Sequence, residues 1–292
     1  MHKRLIMSPD ATLSWSPSVT DLMQQLPERR SIDVNGLPIS YRDKGTGQPI
    51  LFLHGLLGSA DSWVLQMHGL SAKARVIAWD APGYGQSADM EPDLEMFAEQ
   101  LRGFINALAL PSLTLVGHSM GGTLAARIAA DPVPLLDRLV ISCSHAGYGE
   151  PADTPPSEKL VERIHILKQQ GAEAYGRSRA THMVAHPVDP FALELAAYVA
   201  AGTRADGLYS ATRMLQFADL RPFYKQIRLP TWILFGGADP VVRPDLSAEL
   251  KSLTPQATHI TLPNVGHAPY LEDAEGYEAV LAPILETSLP SR

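Results

Sequence analysis

The chain is predicted to have an α/β fold, in which a mostly parallel central sheet is flanked by helices. Short runs that are apolar throughout alternate with helix-length segments whose apolar residues recur three and four positions apart. Strands that are apolar on both faces are typical of a buried parallel sheet. The chain has 292 residues, 45% of them hydrophobic, which is enough for one large domain or two small ones.

Six apolar runs are predicted to form the strands of this sheet: 50–53, 75–79, 113–116, 138–142, 232–235 and 259–262. Helices are predicted at 93–109, 119–130, 245–253 and 272–286. A hairpin precedes the first of these strands, because two alternating segments, 31–34 and 37–42, flank the turn pair Asn35 and Gly36. Strand and helix therefore alternate, as in an open α/β sheet.

The alternation divides the chain into three parts. Residues 1–30 are predicted to be a leader with a short helix near 19–26, and residues 31–145 and 221–292 form the α/β core. Residues 146–220 show no strand pattern, only four helical stretches, at 157–169, 172–185, 190–201 and 207–217. Helices inserted after the carboxyl end of a strand lie where open α/β sheets bind ligands. Residues 146–220 are therefore predicted to be a helical cap after the sixth strand.

Composition argues against several classes of partner. Acidic residues outnumber basic ones by 31 to 24, and no long basic run is present, so neither nucleic acid nor a membrane surface is an expected partner. No apolar run approaches the roughly 18 residues that span a bilayer, and the first residues lack the apolar core of a signal peptide. One cysteine, Cys143, excludes an internal disulfide and is interpreted as a small core residue. A cytoplasmic location is expected.

The main chemical signal is a Gly-x-Ser-x-Gly pattern between a predicted strand and a predicted helix. It comprises Gly117, Ser119 and Gly121. Such a turn holds its serine in a strained backbone conformation, and only small residues fit two positions before and after it. The hydroxyl of Ser119 is then exposed at a helix N-terminus, where developing negative charge is favoured. Ser119 is the predicted nucleophile.

A serine hydroxyl needs a base to remove its proton and an acid to orient that base. Asp239 follows the apolar run 232–235, and His267 follows the next one, in the chain order expected for this type of turn. Asp239 is the predicted acid and His267 the predicted base, with Asp219 as the alternative acid. The backbone N–H groups of Met120 and Leu56 are the predicted donors to the oxyanion.

These motifs, with Gly55 after His54 and a glycine-rich turn at 80–87, resemble the α/β-hydrolase superfamily, in the branch with a helical cap after the sixth strand. The resemblance covers about residues 31–287. Within that branch the chain is similar to carboxylesterases, enol-lactonases and the carbon–carbon hydrolases of aromatic ring cleavage. The last group carries extra glycines where this chain has Leu56 and Leu57.

The predicted function is therefore hydrolysis of a small or medium carboxylic ester or lactone through an acyl-enzyme. The alternatives are a carbon–carbon hydrolase of ring-cleavage products and a receptor-like module that binds its ligand on the same fold. The predicted partner is a small molecule, and the chain is expected to be a monomer or homodimer. Apolar neighbours suggest an acyl group with little charge. The predicted substrate-binding residues are Leu57, His145, Tyr148, Phe217 and Val241.

No cofactor or metal is expected. His182, His186 and Asp189 have spacings that one face of a helix could use for a metal, but Pro187 interrupts that helix, so they are interpreted as lining or covering the pocket. No glycine-rich nucleotide-binding loop is present in the sequence.

Overall fold

A computed structural model describes residues 15–286. Its eight-stranded sheet has the order β1-β2-β4-β3-β5-β6-β7-β8, in which β2 pairs antiparallel with both β1 and β4 and all the other pairs are parallel. The strands are β1 (Arg30–Val34), β2 (Leu37–Lys44), β3 (Gln48–Leu53), β4 (Ala74–Trp79), β5 (Leu113–His118), β6 (Leu136–Ser142), β7 (Thr231–Gly236) and β8 (Thr258–Leu262).

Helices cover both faces of the sheet, and a short 3₁₀ helix lies at Ala60–Trp63. The α-helices are α1 (Pro17–Gln24), α2 (Val64–Leu70), α3 (Leu94–Ala107), α4 (Met120–Ala129), α5 (Glu158–Gln170), α6 (Ala172–Ala180), α7 (Pro190–Ala200), α8 (Ala205–Phe217), α9 (Arg221–Tyr224), α10 (Pro244–Leu253), α11 (Pro269–Glu272) and α12 (Ala274–Glu286). None of the helices in residues 15–286 is both long enough and apolar enough to cross a bilayer.

The core explains why the central strands are apolar throughout. Along β3, Leu51 and Leu53 pack into one apolar cluster with α3 and α4, whereas Ile50 and Phe52 pack into a second cluster with α2 and α12. All four side chains are completely buried. Both faces of the strand are thus shielded from water, as in other parallel sheets covered by helices.

The predicted fold class is confirmed: the sheet is mostly parallel, and each predicted strand and the hairpin are present. The sequence analysis missed the short helix α2, whose seven residues offer little periodicity. The predicted helix 272–286 is divided at Asp273, which has an extended φ of −144° between α11 and α12. The leader helix is α1, which Ser16 caps, and residues 1–14 of the leader lie outside the described part of the chain.

Five helices lie between β6 and β7, and the first four of them, α5 to α8, lie within residues 146–220. The helix predicted at 172–185 ends at Ala180, and the following turn leads to a cis bond between His186 and Pro187. Helix α5 packs against α6 and α8, α6 packs against α7, and α8 contacts α3 and α4 of the core. This segment therefore rests on the edge of the sheet at which β6 ends.

Candidate active site

Ser119 lies on a sharp turn between β5 and α4. Its backbone has φ 52° and ψ −117°, a left-handed φ that is strained for a residue with a side chain. A Cβ atom at Gly117 would collide with the carbonyl oxygen of Gly121, and one at Gly121 would collide with that of Leu53. The two glycines of the motif are therefore required by close packing of the backbone around the serine.

A chain of hydrogen bonds joins Ser119, His267 and Asp239. The Oγ of Ser119 is 3.1 Å from Nε2 of His267, and Nδ1 of the same ring is 2.9 Å from Oδ2 of Asp239. The other carboxylate oxygen accepts the backbone N–H groups of Val241 and Val242, at 2.7 and 3.0 Å. Burial would raise the pKa of Asp239, but the hydrogen bond from His267 and these two amides outweigh burial and lower the pKa. Asp239 is therefore an anion that orients the imidazole.

Glu272, which sequence reasoning missed, fixes the loop that carries His267. One of its carboxylate oxygens accepts the N–H of Ala268 at 2.9 Å, and the other accepts those of Gly266 at 2.9 Å and Ala185 at 2.8 Å. Two of these amides flank His267, and the third belongs to the segment between β6 and β7. The sequence feature that could have identified Glu272 is an acidic residue in the first turn of the helix that follows His267.

His54 fixes the loop after β3. The N–H of Ala81 donates to Nε2 of His54 at 3.0 Å, so the proton lies on Nδ1, which donates to the carbonyl oxygen of Gly55 at 2.8 Å. Burial lowers the pKa of this histidine and keeps the ring neutral. The hydroxyl of Tyr84 donates to the carbonyl oxygen of Leu56 at 2.9 Å. The carbonyl oxygens of Gly55 and Leu56 therefore both accept side-chain hydrogen bonds, which fix the positions of these two peptide groups.

Two backbone N–H groups beside Ser119 are free to bind an anion. Neither that of Leu56 nor that of Met120 has an acceptor within residues 15–286. The loop after β3 lies against the serine, because a Cβ atom at Gly55 would be 3.1 Å from Cβ of Ser119. Unpaired amides next to a nucleophile are the arrangement that an oxyanion requires.

A cavity of about 110 Å³ opens onto Ser119 and His267. Its volume is small for a ligand pocket, so it could enclose only a small substrate or the acyl part of a larger one. Leu57 and Val241, two of the predicted substrate-binding residues, line it. The full lining is Gly55, Leu56, Leu57, Gly58, His118, Ser119, Arg163, Arg179, His182, Met183, Leu208, Val241, His267 and Tyr270.

The structure corrects the prediction for His145, Tyr148 and Phe217, which do not line this cavity. The chain turns away after β6 at Gly147, where φ is 85°, and the ring of His145 accepts the Gly147 N–H at 3.0 Å and packs against Tyr148. Phe217 lies under the guanidinium of Arg213, 4.4 Å from the centre of its ring. His145 and Phe217 thus make their contacts within the segment and at its junction with the core, and the side chain of Tyr148 is exposed.

Five of the lining residues come from the segment between β6 and β7, and sequence reasoning identified only His182 among them. The five are Arg163, Arg179, His182, Met183 and Leu208. Periodicity predicts that α5, α6 and α8 exist, but it does not say which of their polar faces is turned toward the sheet. His118, which directly precedes Ser119, and Tyr270, three residues after His267, are both buried, and sequence reasoning missed them as lining residues.

His182, His186 and Asp189 do not converge on a metal site within the described residues. Asp189 instead caps α7 by accepting the N–H groups of Phe191 and Ala192. One group of possible ligands does converge: the ligand atoms of Cys143, Asp239 and His267 lie within 4.8 Å of one another. This group overlaps the hydrogen-bonded chain already described.

Cys143 is buried behind Asp239. Burial, and then the charge of Asp239, raise the pKa of its thiol well above the ordinary value, so the sulfur stays protonated. A buried, neutral thiol that does not line the cavity fits the interpretation of Cys143 as a core residue.

Buried His145 makes stability depend on pH. Burial, and then the neighbouring His267, lower its pKa to about 4 in the folded protein, whereas the unfolded side chain has a pKa of about 6.5. The unfolded state binds more protons between these values, so stability falls as pH drops below 6.5 and levels off below 4. We expect His145 alone to lower the free energy of unfolding by about 2 kcal/mol at pH 5 relative to pH 7.

The measurement is urea unfolding at pH 7 and pH 5. In His145→Asn, which keeps an acceptor near the Gly147 N–H, the loss between the two pH values should be smaller than in the wild type by that amount. His165→Asn, at an exposed position on α5, is the control and should keep the full loss. If the free energy of unfolding falls equally in all three proteins, protonation of His145 does not destabilise the fold.

Comparisons with known proteins agree with this geometry. Residues 50–280 match the model of the alpha/beta hydrolase family. The chain is 28% identical over 256 residues to 2-(acetamidomethylene)succinate hydrolase of Mesorhizobium japonicum, covering 82% of this chain and 88% of that protein.

Two solved structures share the fold. The enol-lactonase from Burkholderia xenovorans has a TM-score of 0.77 and 23% identity, covering 88% of this chain and all of that one. The esterase from Thermogutta terrifontis has a TM-score of 0.75 and 23% identity, covering 89% and 98%. Because the family model matches residues 50–280, well over half of the sequence, the chain belongs to the alpha/beta hydrolase family.

Proposed function

We propose that the protein is a serine hydrolase that cleaves carboxylic esters or lactones through an acyl-enzyme. The observation that carries this proposal is the hydrogen-bonded chain from Ser119 through His267 to Asp239, with the serine on a strained turn. A base within hydrogen-bond distance of a hydroxyl, itself oriented by a buried carboxylate, is the arrangement that turns serine into a nucleophile.

In this mechanism Ser119 Oγ attacks the carbonyl carbon while Nε2 of His267 removes its proton. The oxyanion forms hydrogen bonds with the N–H groups of Leu56 and Met120. Collapse of the tetrahedral intermediate breaks the bond to the alcohol oxygen, which receives the proton from His267. Water, activated by the same ring, then attacks the acyl-enzyme, and the acid is released with Ser119 regenerated. Asp239 stabilises the imidazolium formed in both steps.

The segment between β6 and β7 is proposed to act as the cap of this site. It supplies side chains from α5, α6 and α8 to the cavity, so it would control which acyl group fits while Ser119 and its partners set the chemistry. Its contact with Glu272 would couple the position of the cap to that of His267.

The relatives support hydrolysis of this general kind. They include an enol-lactonase and an esterase among solved structures, and a hydrolase of a substituted succinate among curated proteins. Their identities to this chain are below 30%, so the proposed bond type and substrate depend on the geometry of the site itself.

The test is a substrate panel of 4-nitrophenyl esters from acetate to octanoate, simple lactones and a ring-cleavage diketo acid, combined with labelling by a fluorophosphonate. We expect turnover of short esters or lactones and stoichiometric labelling of Ser119. Turnover of the diketo acid alone would favour the carbon–carbon hydrolase. Labelling without turnover of any substrate, together with slow release of a bound ester, would favour the receptor-like alternative.

A further inference from the structure

Two arginines of the segment between β6 and β7 face the cavity that holds Ser119. Arg163 lies on α5 and Arg179 lies near the C-terminus of α6, and both line the cavity together with His267. The Nε atom of each is buried and has no hydrogen-bond partner within the described residues. Neither guanidinium has a carboxylate within 4.0 Å in residues 15–286.

These two arginines lie close to each other. Tyr175 is influenced by the charges of both, and the pKa of Arg179 is lowered, first by burial and then by the charge of Arg163. Both residues are partly exposed, so water still reaches them, but two like charges beside each other repel, and an anion between them would offset that repulsion. Such an anion would also give the two buried Nε atoms a hydrogen-bond acceptor.

The other arginines of α5 to α8 behave differently. Arg177 pairs with Glu173 at 3.1 Å, Arg204 pairs with Asp89 at 2.6 Å, and Arg213 donates to the side-chain oxygen of Gln216 at 2.6 Å. Each of these three has a protein partner outside the cavity. The pair without a partner is the pair that faces the nucleophile, and this contrast separates it from ordinary surface arginines.

The C-terminal position of Arg179 on α6 does not explain the pair. A helix C-terminus stabilises a nearby cation, and that effect could account for Arg179 by itself. Arg163 lies in the middle of α5, where the helix supplies no such field. Its charge, added beside that of Arg179, increases the repulsion that the helix end would have to offset.

We propose that the natural substrate carries a carboxylate in addition to the bond that is cleaved, and that Arg163 and Arg179 bind it. This inference rests on the proposed function and specifies its substrate class: a half-ester of a short dicarboxylic acid, or a lactone with a free carboxylate. Guanidinium groups match the geometry of a carboxylate and bind it through paired charge-assisted hydrogen bonds. A carboxylate on the acyl side would depart from the expected acyl group with little charge, whereas a carboxylate on the alcohol side would not.

The experiment compares three esters. 4-Nitrophenyl hemiglutarate carries a carboxylate on its acyl part, 3-carboxy-4-nitrophenyl pentanoate carries one on its leaving group, and 4-nitrophenyl pentanoate is neutral. We expect the wild type to show a kcat/KM for one of the anionic esters at least about tenfold above that for the neutral ester. Arg163→Gln and Arg179→Gln should each lower this ratio by about tenfold, mainly through KM.

Arg177→Gln is the matched control, because it removes one positive charge from the same helix on the side away from the cavity and should keep the ratio. Thermal unfolding gives a readout that does not depend on catalysis. Removal of an unpaired guanidinium should leave Tm unchanged or raise it, whereas a guanidinium that only supports the fold should lower Tm when it is removed. If Arg163→Gln and Arg179→Gln keep the wild-type ratio of kcat/KM for the anionic ester to that for the neutral ester, the proposal is wrong. It is also wrong if the wild type does not prefer either anionic ester.

Failure of this inference is distinguishable from failure of the proposed function. If all three esters are cleaved at similar kcat/KM, the protein is an esterase without the proposed carboxylate site. If none is cleaved, calorimetry with glutarate monomethyl ester still tests the site: Ser119→Ala should bind it at least tenfold more tightly than Ser119→Ala combined with Arg179→Gln. Equal binding by the two variants would overturn the carboxylate site independently of turnover.

Discussion

Replacement of Ser119 by alanine is expected to lower kcat for ester hydrolysis by about five to six powers of ten and to abolish labelling by a fluorophosphonate. In the proposed mechanism the Ser119 hydroxyl is the attacking group, so any activity that remains would come from the other residues of the site. Alanine keeps the Cβ atom that the backbone at φ 52° already accommodates, so the fold should be retained. Single-turnover kinetics and mass spectrometry of the labelled protein measure the two effects.

Ser252→Ala is the control for this substitution. Its hydroxyl donates to the carbonyl oxygen of Glu249 on α10, at an exposed position, so activity and labelling should match those of the wild type. Labelling that persists in Ser119→Ala would show that another residue is the nucleophile. Unchanged far-UV circular dichroism is needed in both variants, since an unfolded Ser119→Ala would also be inactive.

The positions of Ser119, Asp239 and His267 could be predicted because each follows a strand that the sequence reveals. The strands β5, β7 and β8 are parallel neighbours or near neighbours, so their carboxyl ends lie at one edge of the sheet. Topology thus brings together residues that are far apart in sequence. The structure adds the distances between the atoms and the backbone strain at the serine.

The lining of the cavity could not be predicted in the same way. His145 and Tyr148 follow β6 directly, but the left-handed backbone at Gly147 and its packing against Ala218 turn that stretch away from Ser119. Arg163 and Arg179 lie on helices whose orientation is set by contacts with other helices and with the sheet. Sequence periodicity does not show which arginine forms an ion pair with an acidic residue. Arg163 and Arg179 differ from Arg177 and Arg204 in this respect, since neither has a carboxylate partner within residues 15–286.

Asp239→Asn is expected to lower kcat by about four powers of ten while leaving the fold intact. The Oδ1 atom of Asp239 accepts the N–H groups of Val241 and Val242, and only the oxygen of an asparagine can replace it there. The asparagine NH₂ must then face Nδ1 of His267. Nδ1 would become an acceptor, the ring proton would move to Nε2, and Nε2 could no longer accept the proton of Ser119.

Asp219→Asn is the matched control, since Asp219 was the alternative acid in the sequence. The structure places Asp219 in a surface ion pair with Arg221 at 2.9 Å, where it makes no contact with His267. Its variant should retain kcat within about twofold, because exposed ion pairs contribute little. In Asp239→Asn, raising the pH should restore part of the activity, because hydroxide can then assist removal of the serine proton without a correctly oriented base. Near-normal kcat in Asp239→Asn, with a large loss in Asp219→Asn, would reverse the roles of the two acids.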